Sequence, residues 1–321
     1  MKKVFGILAT ASLLVACGGS QPVEEPGLKD VLGDKFLVGT ALNVNQSSGR
    51  DTASLAIVKK HFNAIVAENC MKSEEIHPEK DKFNFEDADK LVQFGIDNGI
   101  TVTGHCLIWH SQCARWIWQD ENGKDVSPEV LKQNMKDHIT AIVQRYKGKI
   151  LGWDVVNEAI MEDGSYRNSM FYRILGEEFI PLAFQYAHEA DPNIELYYND
   201  YNMHEPGKRA TVVKLIKDLK ARGLRIDAVG MQGHVGMDHN IVEFENSIKA
   251  YAEAGVKVMI TELDMSALPN RRWSANISDI EEYRESMNPY KEALPDSVSQ
   301  KWNAKMMDFM NLFIKHQDVI T

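Results

Sequence analysis

Short apolar runs alternate along this chain with longer segments in which apolar residues recur at helical spacing. Runs of this kind, rich in valine, isoleucine and leucine, are typical of parallel strands that are buried on both faces. The predicted strands cover residues 36–42, 62–67, 100–107, 150–157, 194–199, 228–232 and 256–262. The pattern therefore predicts a sheet of seven parallel strands wrapped by helices.

The intervening segments predict helices that connect successive strands. The clearest of them cover residues 86–98, 128–146, 206–221 and 296–316. Ser127 and Pro128 support the start of the second helix, because serine is a favourable N-cap residue and proline suits the first helical turn. No linker-like stretch interrupts the series, so residues 28–321 are predicted to form one domain.

Polar residues stand at the ends of six different predicted strands. They are Asn69, His105, Asn157, Asn199, Gln232 and Glu262. This distribution favours a (β/α)₈ TIM barrel, in which many strands deliver side chains to one catalytic face. A doubly wound open sheet is the alternative, but it concentrates such residues near one switch point. Residues 39–42 also lack the glycine spacing of a phosphate-binding loop.

The first residues have the layout of an export signal. Two lysines precede an apolar run, residues 4–15, that is too short to span the hydrocarbon core of a membrane. The run leads into Leu-Val-Ala-Cys, which resembles a bacterial lipobox with Cys17 as the lipidated residue. We therefore expect a signal peptide (1–16), a flexible tether (17–27) and an exported protein held at the cell envelope by a lipid anchor alone. A secretory signal with an incidental cysteine is the alternative.

Composition and charge exclude several classes of protein. Hydrophobic residues make up 44% of the chain and charged residues 26%, which fits a globular domain better than a disordered or collagen-like chain. The net charge is −10 and no lysine-arginine cluster occurs, so we expect no binding to nucleic acid. The four cysteines are too few and too scattered for a disulfide scaffold, and Cys106 and Cys113 can either pair or remain thiols.

Two glutamates stand where a barrel strand meets its catalytic loop. Glu158 follows an apolar strand in WDVVNEAI, and Glu262 follows another in VMITELDM. Two carboxylates that flank a glycosidic bond can cleave it, because one protonates the leaving oxygen while the other attacks the anomeric carbon or activates water. A role in surface ion pairs is the alternative for each glutamate.

Aromatic side chains accompany these polar residues, and their flat faces suit stacking on sugar rings. They are Trp109, Trp116 and Trp118 in and beyond the third predicted strand, and Tyr197, Tyr198 and Tyr201 around the fifth. Packing in the core is the alternative for each of them.

Four histidines raise the question of a metal site. They are His105, His110, His234 and His239. No His-x-x-x-His or Cys-x-x-Cys pair occurs in the chain, so the ligand spacing of a zinc site is missing. We expect neither a metal nor another cofactor.

Six segments together resemble glycoside hydrolase family 10, a family of endo-xylanases. The segments are VAENCMK, GHCLIWHSQ, WDVVNEAI, LYYNDYN, VGMQGH and ITELDM, in the family's order and spacing. The resemblance runs from about residue 28 to the last residue. It implies a (β/α)₈ barrel, retaining hydrolysis of the β-1,4-linked backbone of xylan, and xylan or xylo-oligosaccharides as binding partners.

The resemblance also implies a role for each residue at the cleavage site. Glu158 is implied as the general acid/base, and Glu262 as the nucleophile that forms a glycosyl-enzyme intermediate. His234 and Asp264 are implied to hold Glu262 ionised and oriented. Asn157 is implied to hydrogen-bond the 2-hydroxyl group of the sugar.

The other substrate-binding positions are implied on two sides of the cleavage site. The glycone side has Asn69, Lys72, His105 and Trp109, with Gln232 nearby, and the aglycone side has Asn199 and Tyr201. One position departs from the family pattern, because Ser73 stands where a tryptophan is usual. We expect this change to alter affinity on the glycone side.

Two other functions stay open. A β-1,4-glucanase is the near rival, since a cleft that binds equatorial hydroxyl groups accepts glucose unless the C6 hydroxymethyl group of glucose is blocked.

The chain stops at Thr321, where an eighth strand should begin, so we expect that strand and the closing helix to be missing and both sheet edges to be open. A non-catalytic xylan-binding surface lipoprotein, or an inactive fragment, is therefore the alternative from another class.

Overall fold

The computed structural model describes residues 25–268 and 288–321. The predicted signal peptide (1–16), the predicted lipidation residue Cys17 and most of the predicted tether (17–27) lie outside the described residues. Within the two described ranges, no helix has both the length and the apolar character needed to cross a membrane.

The named strands of the described residues pair only in parallel. They are β1 (Gly39–Leu42), β2 (Ala64–Ala67), β3 (Thr101–Thr103), β4 (Ile108–Trp109), β5 (Gly152–Asn157), β6 (Glu195–Asp200), β7 (Ala228–Met231), β8 (His234–Gly236), β9 (Lys257–Ile260) and β10 (Asp264–Ser266). The order β1-β2-β3 continues into β4-β5-β6-β7-β9 through a parallel bridge between Gly104 and Trp153, and β8 pairs with β10. Because neighbours in the sheet follow chain order, the arrangement is that of the predicted barrel and differs from a doubly wound sheet.

Helices connect the strands as the hydrophobic pattern predicts. They are α1 (Leu28–Leu32), α2 (Val44–Ser47), α3 (Thr52–His61), α4 (Ser73–Ile76), α5 (Glu86–Asn98), α6 (Pro128–Arg145), α7 (Met170–Leu175), α8 (Phe179–Ala190), α9 (Pro206–Ala221), α10 (Ile241–Glu253) and α11 (Asp296–Lys315). α5 and α9 have the predicted bounds, and α6 and α11 each end one residue earlier than predicted. The Ser127 side chain accepts the N–H of Val130 at 3.3 Å and so caps α6.

The predicted strand over residues 100–107 differs most from the structure. β3 ends at Thr103, and the chain forms no regular strand again until β4 begins at Ile108. At Gly104 the backbone passes against the indole of Trp153, where a Cβ would lie 2.2 Å from a ring carbon. Cys106 and Leu107 are buried in this connection, so their apolar character reflects burial and not a continuous strand.

The last described residues pair with the free edge of β9 through an isolated parallel bridge. Val258 donates its N–H to the carbonyl of Val319 at 3.0 Å and accepts the N–H of Thr321 at 3.1 Å, and Ile320 bridges to it in parallel. Ile320 is buried in the hydrophobic core. The sequence predicts that an eighth strand begins at these residues, and they pair where the barrel order requires that strand.

The core lies between the sheet and the helices around it. β5 and β7 are buried along their whole length. Tyr197 and Tyr198 are 1% and 0% exposed, and their hydroxyl groups donate to Glu195 and Asp200 at 2.7 and 2.5 Å. The prediction that these two tyrosines stack on a sugar is therefore wrong, because both faces of a parallel strand are covered.

Candidate active site

The polar residues of the predicted strand ends share one face of the sheet. Asn157 and Asn199 lie in β5 and β6, and the others lie in the connections directly after β2, β3, β7 and β9. These others are Asn69, His105, Gln232 and Glu262. Because the carboxyl ends of parallel strands meet at one edge, all of these side chains belong to the same end of the barrel.

A chain of three side-chain amides connects Glu158 with Glu262. Nε2 of Gln232 donates to Oε1 of Glu158 at 3.0 Å and lies 3.3 Å from the amide of Asn157. That amide lies 3.0 Å from Nδ2 of Asn199, which also donates to Oε1 of Glu262 at 3.1 Å. All three amides are buried, so they hold the two carboxylates in a fixed relation.

Glu158 adopts a left-handed backbone conformation at the end of β5. Its φ is 57°, which costs a non-glycine residue on the order of 1–2 kcal/mol. Its N–H donates to the carbonyl of Asn199 at 2.9 Å, and its own carbonyl accepts Nε–H of Arg167 at 2.8 Å. Oε2 accepts the indole N–H of Trp109 at 3.0 Å. Both backbone groups and both carboxylate oxygens of Glu158 therefore have hydrogen-bond partners.

The surroundings of Glu262 favour its ionised form. Oε1 accepts from Asn199, and Oε2 lies 3.3 Å from Nε2 of His234. Burial by itself raises the pKa of Glu262, but the hydrogen bond from His234, the charges of His105 and His234, and the Asn199 amide together lower it below its usual value. Glu262 is therefore a carboxylate at neutral pH, which is the form that a nucleophile requires.

The short β8–β10 pairing sets His234 between two carboxylates. His234 and Asp264 are direct partners in this pairing. Nδ1 of His234 lies 3.1 Å from Oδ1 of Asp264, while Nε2 faces Glu262. Burial opposes protonation of His234, but the two carboxylates raise its pKa to about 9. At neutral pH an imidazolium therefore bridges Glu262 and Asp264.

A second cluster of polar side chains lies beside Trp109. Nζ of Lys72 donates to Oδ1 of Asn69 at 2.7 Å and to Oε1 of Gln112 at 2.8 Å, and it lies 5.0 Å from the centre of the Trp109 ring. Lys72 is 6% exposed, and burial lowers its pKa. Gln112 is a site residue that the strand pattern does not predict, although it is the glutamine that ends the segment GHCLIWHSQ.

His105 pairs with a carboxylate that the sequence analysis did not select. Its Nδ1 lies 2.8 Å from Oδ2 of Asp154 in β5, and both side chains are largely buried. Burial opposes protonation of His105, but the hydrogen bond and charge of Asp154 raise its pKa. His105 therefore adds positive charge near Glu262.

Tyr201 follows β6 and contacts two cations that the sequence did not predict. Its hydroxyl accepts Nη2–H of Arg167 at 2.5 Å, and Nζ of Lys208 lies 4.0 Å from its ring centre. Lys208 also pairs with Asp200 at 2.9 Å, with both side chains 0% exposed. Burial raises the pKa of Asp200 to about 6, against the lowering effects of Lys208 and the Tyr198 hydroxyl. A buried ion pair thus lies directly beneath Tyr201.

Two of the predicted sugar-stacking residues pack elsewhere. The indole N–H of Trp116 donates to the carbonyl of His77 at 2.8 Å, and Trp118 packs against the hydrophobic core. Ser73 is buried, and its Oγ accepts the N–H of Ala114 at 3.0 Å. Of the predicted aromatic residues, Trp109 and Tyr201 are the ones that contact the polar site.

Known proteins resemble this chain over most of its length. The family model described as "Glycosyl hydrolase family 10" matches residues 27–312. The "Endo-1,4-beta-xylanase A" of Xylanibacter ruminicola is 51% identical over 299 residues, which cover 92% of this chain and 81% of that protein. The protein of the same name from Thermotoga maritima is 42% identical over 93% of this chain, but the chain spans only 27% of that protein.

The similarity extends to solved structures. A "novel GH10 endoxylanase retrieved from sugarcane soil metagenome" superimposes with a TM-score of 0.86 at 41% identity. The match covers 92% of this chain and 86% of that one. The family model's match over residues 27–312 includes every site residue described above.

Proposed function

Because the chain belongs to glycosyl hydrolase family 10, we propose that it hydrolyses β-1,4-xylosidic bonds within xylan with retention at the anomeric carbon. The observation that carries this proposal is the unequal environment of two carboxylates joined by buried amides. The His234 imidazolium keeps Glu262 ionised, whereas Glu158 accepts from neutral indole and amide donors. The ionised Glu262 therefore suits the nucleophile, and we assign the role of proton donor to Glu158.

The proposed reaction has two steps. Glu158 gives its proton to the glycosidic oxygen while a carboxylate oxygen of Glu262 attacks the anomeric carbon, so that the old bond breaks and a glycosyl ester forms. Glu158 then takes a proton from water as the water oxygen attacks the same carbon, which frees Glu262. This mechanism requires carboxyl groups about 5–5.5 Å apart and no metal or cofactor.

The surrounding polar groups are assigned to the substrate. Asn157 lies between Gln232 and Asn199 in the amide chain, where it can meet the 2-hydroxyl group of the reacting sugar. We assign the group around Trp109, which contains Asn69, Lys72 and Gln112, to the glycone side. Asn199 and Tyr201 are assigned to the aglycone side. Hydrogen bonds and aromatic faces together are what a hydroxyl-rich ligand requires.

Residues 18–321 should release reducing sugar from xylan, with the β anomer as the first product in a time-resolved NMR experiment. Initial release of the α anomer would contradict the retaining mechanism. Saturable binding of xylan without release of reducing ends would instead identify a non-catalytic glycan-binding protein. Faster cleavage of β-1,4-glucan than of xylan would identify a glucanase.

We also propose that Cys17 carries a lipid that anchors the protein to the bacterial cell envelope. The lipobox-like residues before Cys17 and the short apolar run support this proposal. In bacteria fed labelled palmitate, the wild-type chain should take up label and fractionate with membranes, whereas Cys17→Ser should lose both properties. Cys113→Ser is the matched control and should keep the label. Labelling that survives Cys17→Ser would contradict the proposal.

A further inference from the structure

We propose that Arg167 is a positioning residue that aligns Glu158 for proton transfer. The proposal rests on the proposed role of Glu158 as the general acid. Arg167 joins the turn after β5, which contains Glu158, to the connection after β6, which contains Tyr201. Its guanidinium is therefore a direct link between the proton donor and a residue assigned to the aglycone side.

The two arms of the guanidinium have different acceptors. Nε donates to the carbonyl oxygen of Glu158 at 2.8 Å, and Nη2 donates to the Tyr201 hydroxyl at 2.5 Å. The backbone N–H of Arg167 also donates to the carbonyl of Ala159 at 2.8 Å, so the residue is fixed to the same turn. Because the guanidinium is planar and rigid, these bonds determine the position of the turn relative to Tyr201.

The bond to Glu158 matters because the backbone there is strained. A left-handed φ of 57° at a non-glycine residue persists only when the surroundings hold it in place. Without Arg167 the Glu158 carbonyl loses its partner, and the turn can relax toward an extended conformation. That relaxation would turn the carboxyl group away from Trp109 and Gln232, which now hold its two oxygens. A misplacement of about 1 Å can cost a reaction step about 100-fold.

The test compares substrates that need different amounts of protonation. For Arg167→Met, kcat/KM on xylan should fall by about 10- to 100-fold, while kcat/KM on 2,4-dinitrophenyl β-xylobioside should stay within about threefold of wild type. The activated aryl group leaves with little help from an acid, and kcat/KM reports the first step alone. Glu158→Ala is the reference and should show the same selectivity with a loss of about 10²–10⁴ on xylan.

Arg222→Met is the matched control. Arg222 is exposed and pairs with Glu178 at 2.8 Å on the outer surface, so its loss should leave both substrates unaffected. Arg167→Lys keeps the charge but cannot span both acceptors, and we expect it to show a smaller loss with the same selectivity. If Arg167→Met does not fold, Arg167→Lys becomes the variant on which the proposal is tested.

Two results would overturn the proposal. An equal loss on xylan and on the aryl xylobioside would show a structural role alone, and unchanged rates on both would show no role. Either result counts in whichever Arg167 variant folds, as judged by its thermal melt. If the wild-type chain cleaves neither substrate, it is the xylanase function itself that fails.

Discussion

Glu262→Ala should lower the rate of xylan hydrolysis by about 10⁵-fold or more, because it removes the atom that bonds to the sugar. Asp264, the other carboxylate beside His234, is engaged with the far nitrogen of that ring and lies on its opposite side. It cannot take over the attack. The measurement is release of reducing sugar by variant and wild type at equal concentration of folded protein.

Added azide should restore turnover of the Glu262→Ala variant on the aryl xylobioside. The small anion enters the space left by the carboxylate and attacks the anomeric carbon from the side that Glu262 occupied, which yields the α-glycosyl azide. Glu158→Ala should instead yield the β-glycosyl azide, since azide then attacks the covalent intermediate. A β product from Glu262→Ala would contradict the nucleophile assignment. Glu129→Ala, at an exposed position in α6, is the matched control and should match wild type.

The sequence predicts the two carboxylates and the connecting amides because a parallel sheet turns linear position into spatial position. Asn157, Asn199 and Gln232 are far apart in the chain, yet each stands at the carboxyl end of a strand, and those ends meet. Strand position determines which residues share the site. It does not determine how their side chains are oriented, so the hydrogen-bonded atoms are known only from the structure.

The residues that the sequence analysis missed depend on contacts between different connections. Arg167 lies in a loop with no strand periodicity, and its acceptors belong to Glu158 and Tyr201. No motif or spacing in the sequence distinguishes Arg167 from the other arginines. Asp154 is similar, because a single acid inside an apolar strand has meaning only once His105 is seen beside it.

The wrong predictions have a common physical cause. Tyr197 and Tyr198 have aromatic rings suited to a sugar, but the barrel buries both faces of β6. The predicted strand at 100–107 begins and ends with apolar residues, but its regular pairing stops at Thr103, and only a single bridge at Gly104 precedes β4. Hydrophobicity reports burial, and burial by itself does not distinguish a strand from a packed connection.

Lys208→Met should lower the free energy of unfolding by about 3–5 kcal/mol, because it leaves the Asp200 carboxylate buried without its counter-ion. Nζ of Lys208 lies 2.9 Å from Oδ1 of Asp200, and both side chains are 0% exposed. The Tyr198 hydroxyl and the Ile160 N–H still donate to Asp200, at 2.5 and 3.3 Å, but neither carries charge. Urea unfolding followed by circular dichroism measures the difference.

Two further variants isolate the charge of Asp200. Lys214→Met, on the same helix, removes a lysine whose pair with Asp218 is exposed, and it should change stability by no more than about 0.5 kcal/mol. The double variant Asp200→Asn/Lys208→Met removes both charges and should recover most of the loss. A loss below about 1 kcal/mol in Lys208→Met would contradict the burial of this pair.

The stability loss in Lys208→Met should also depend on pH in a direction that the pKa of Asp200 determines. Burial raises this pKa from 3.8 to about 6, so Asp200 binds its proton more tightly in the folded protein than in the unfolded chain. The stabilisation that this tighter proton binding gives to the folded protein is therefore fully present below about pH 3.8. It is lost as the pH rises through about 6. Without the Lys208 ammonium the pKa rises further, so the deficit of the variant should grow from about pH 5 to about pH 8. An equal loss of stability at about pH 5 and at about pH 8 would mean that Asp200 is not the group left unpaired. The double variant lacks both ionisable groups, so its loss of stability should not grow over this pH range.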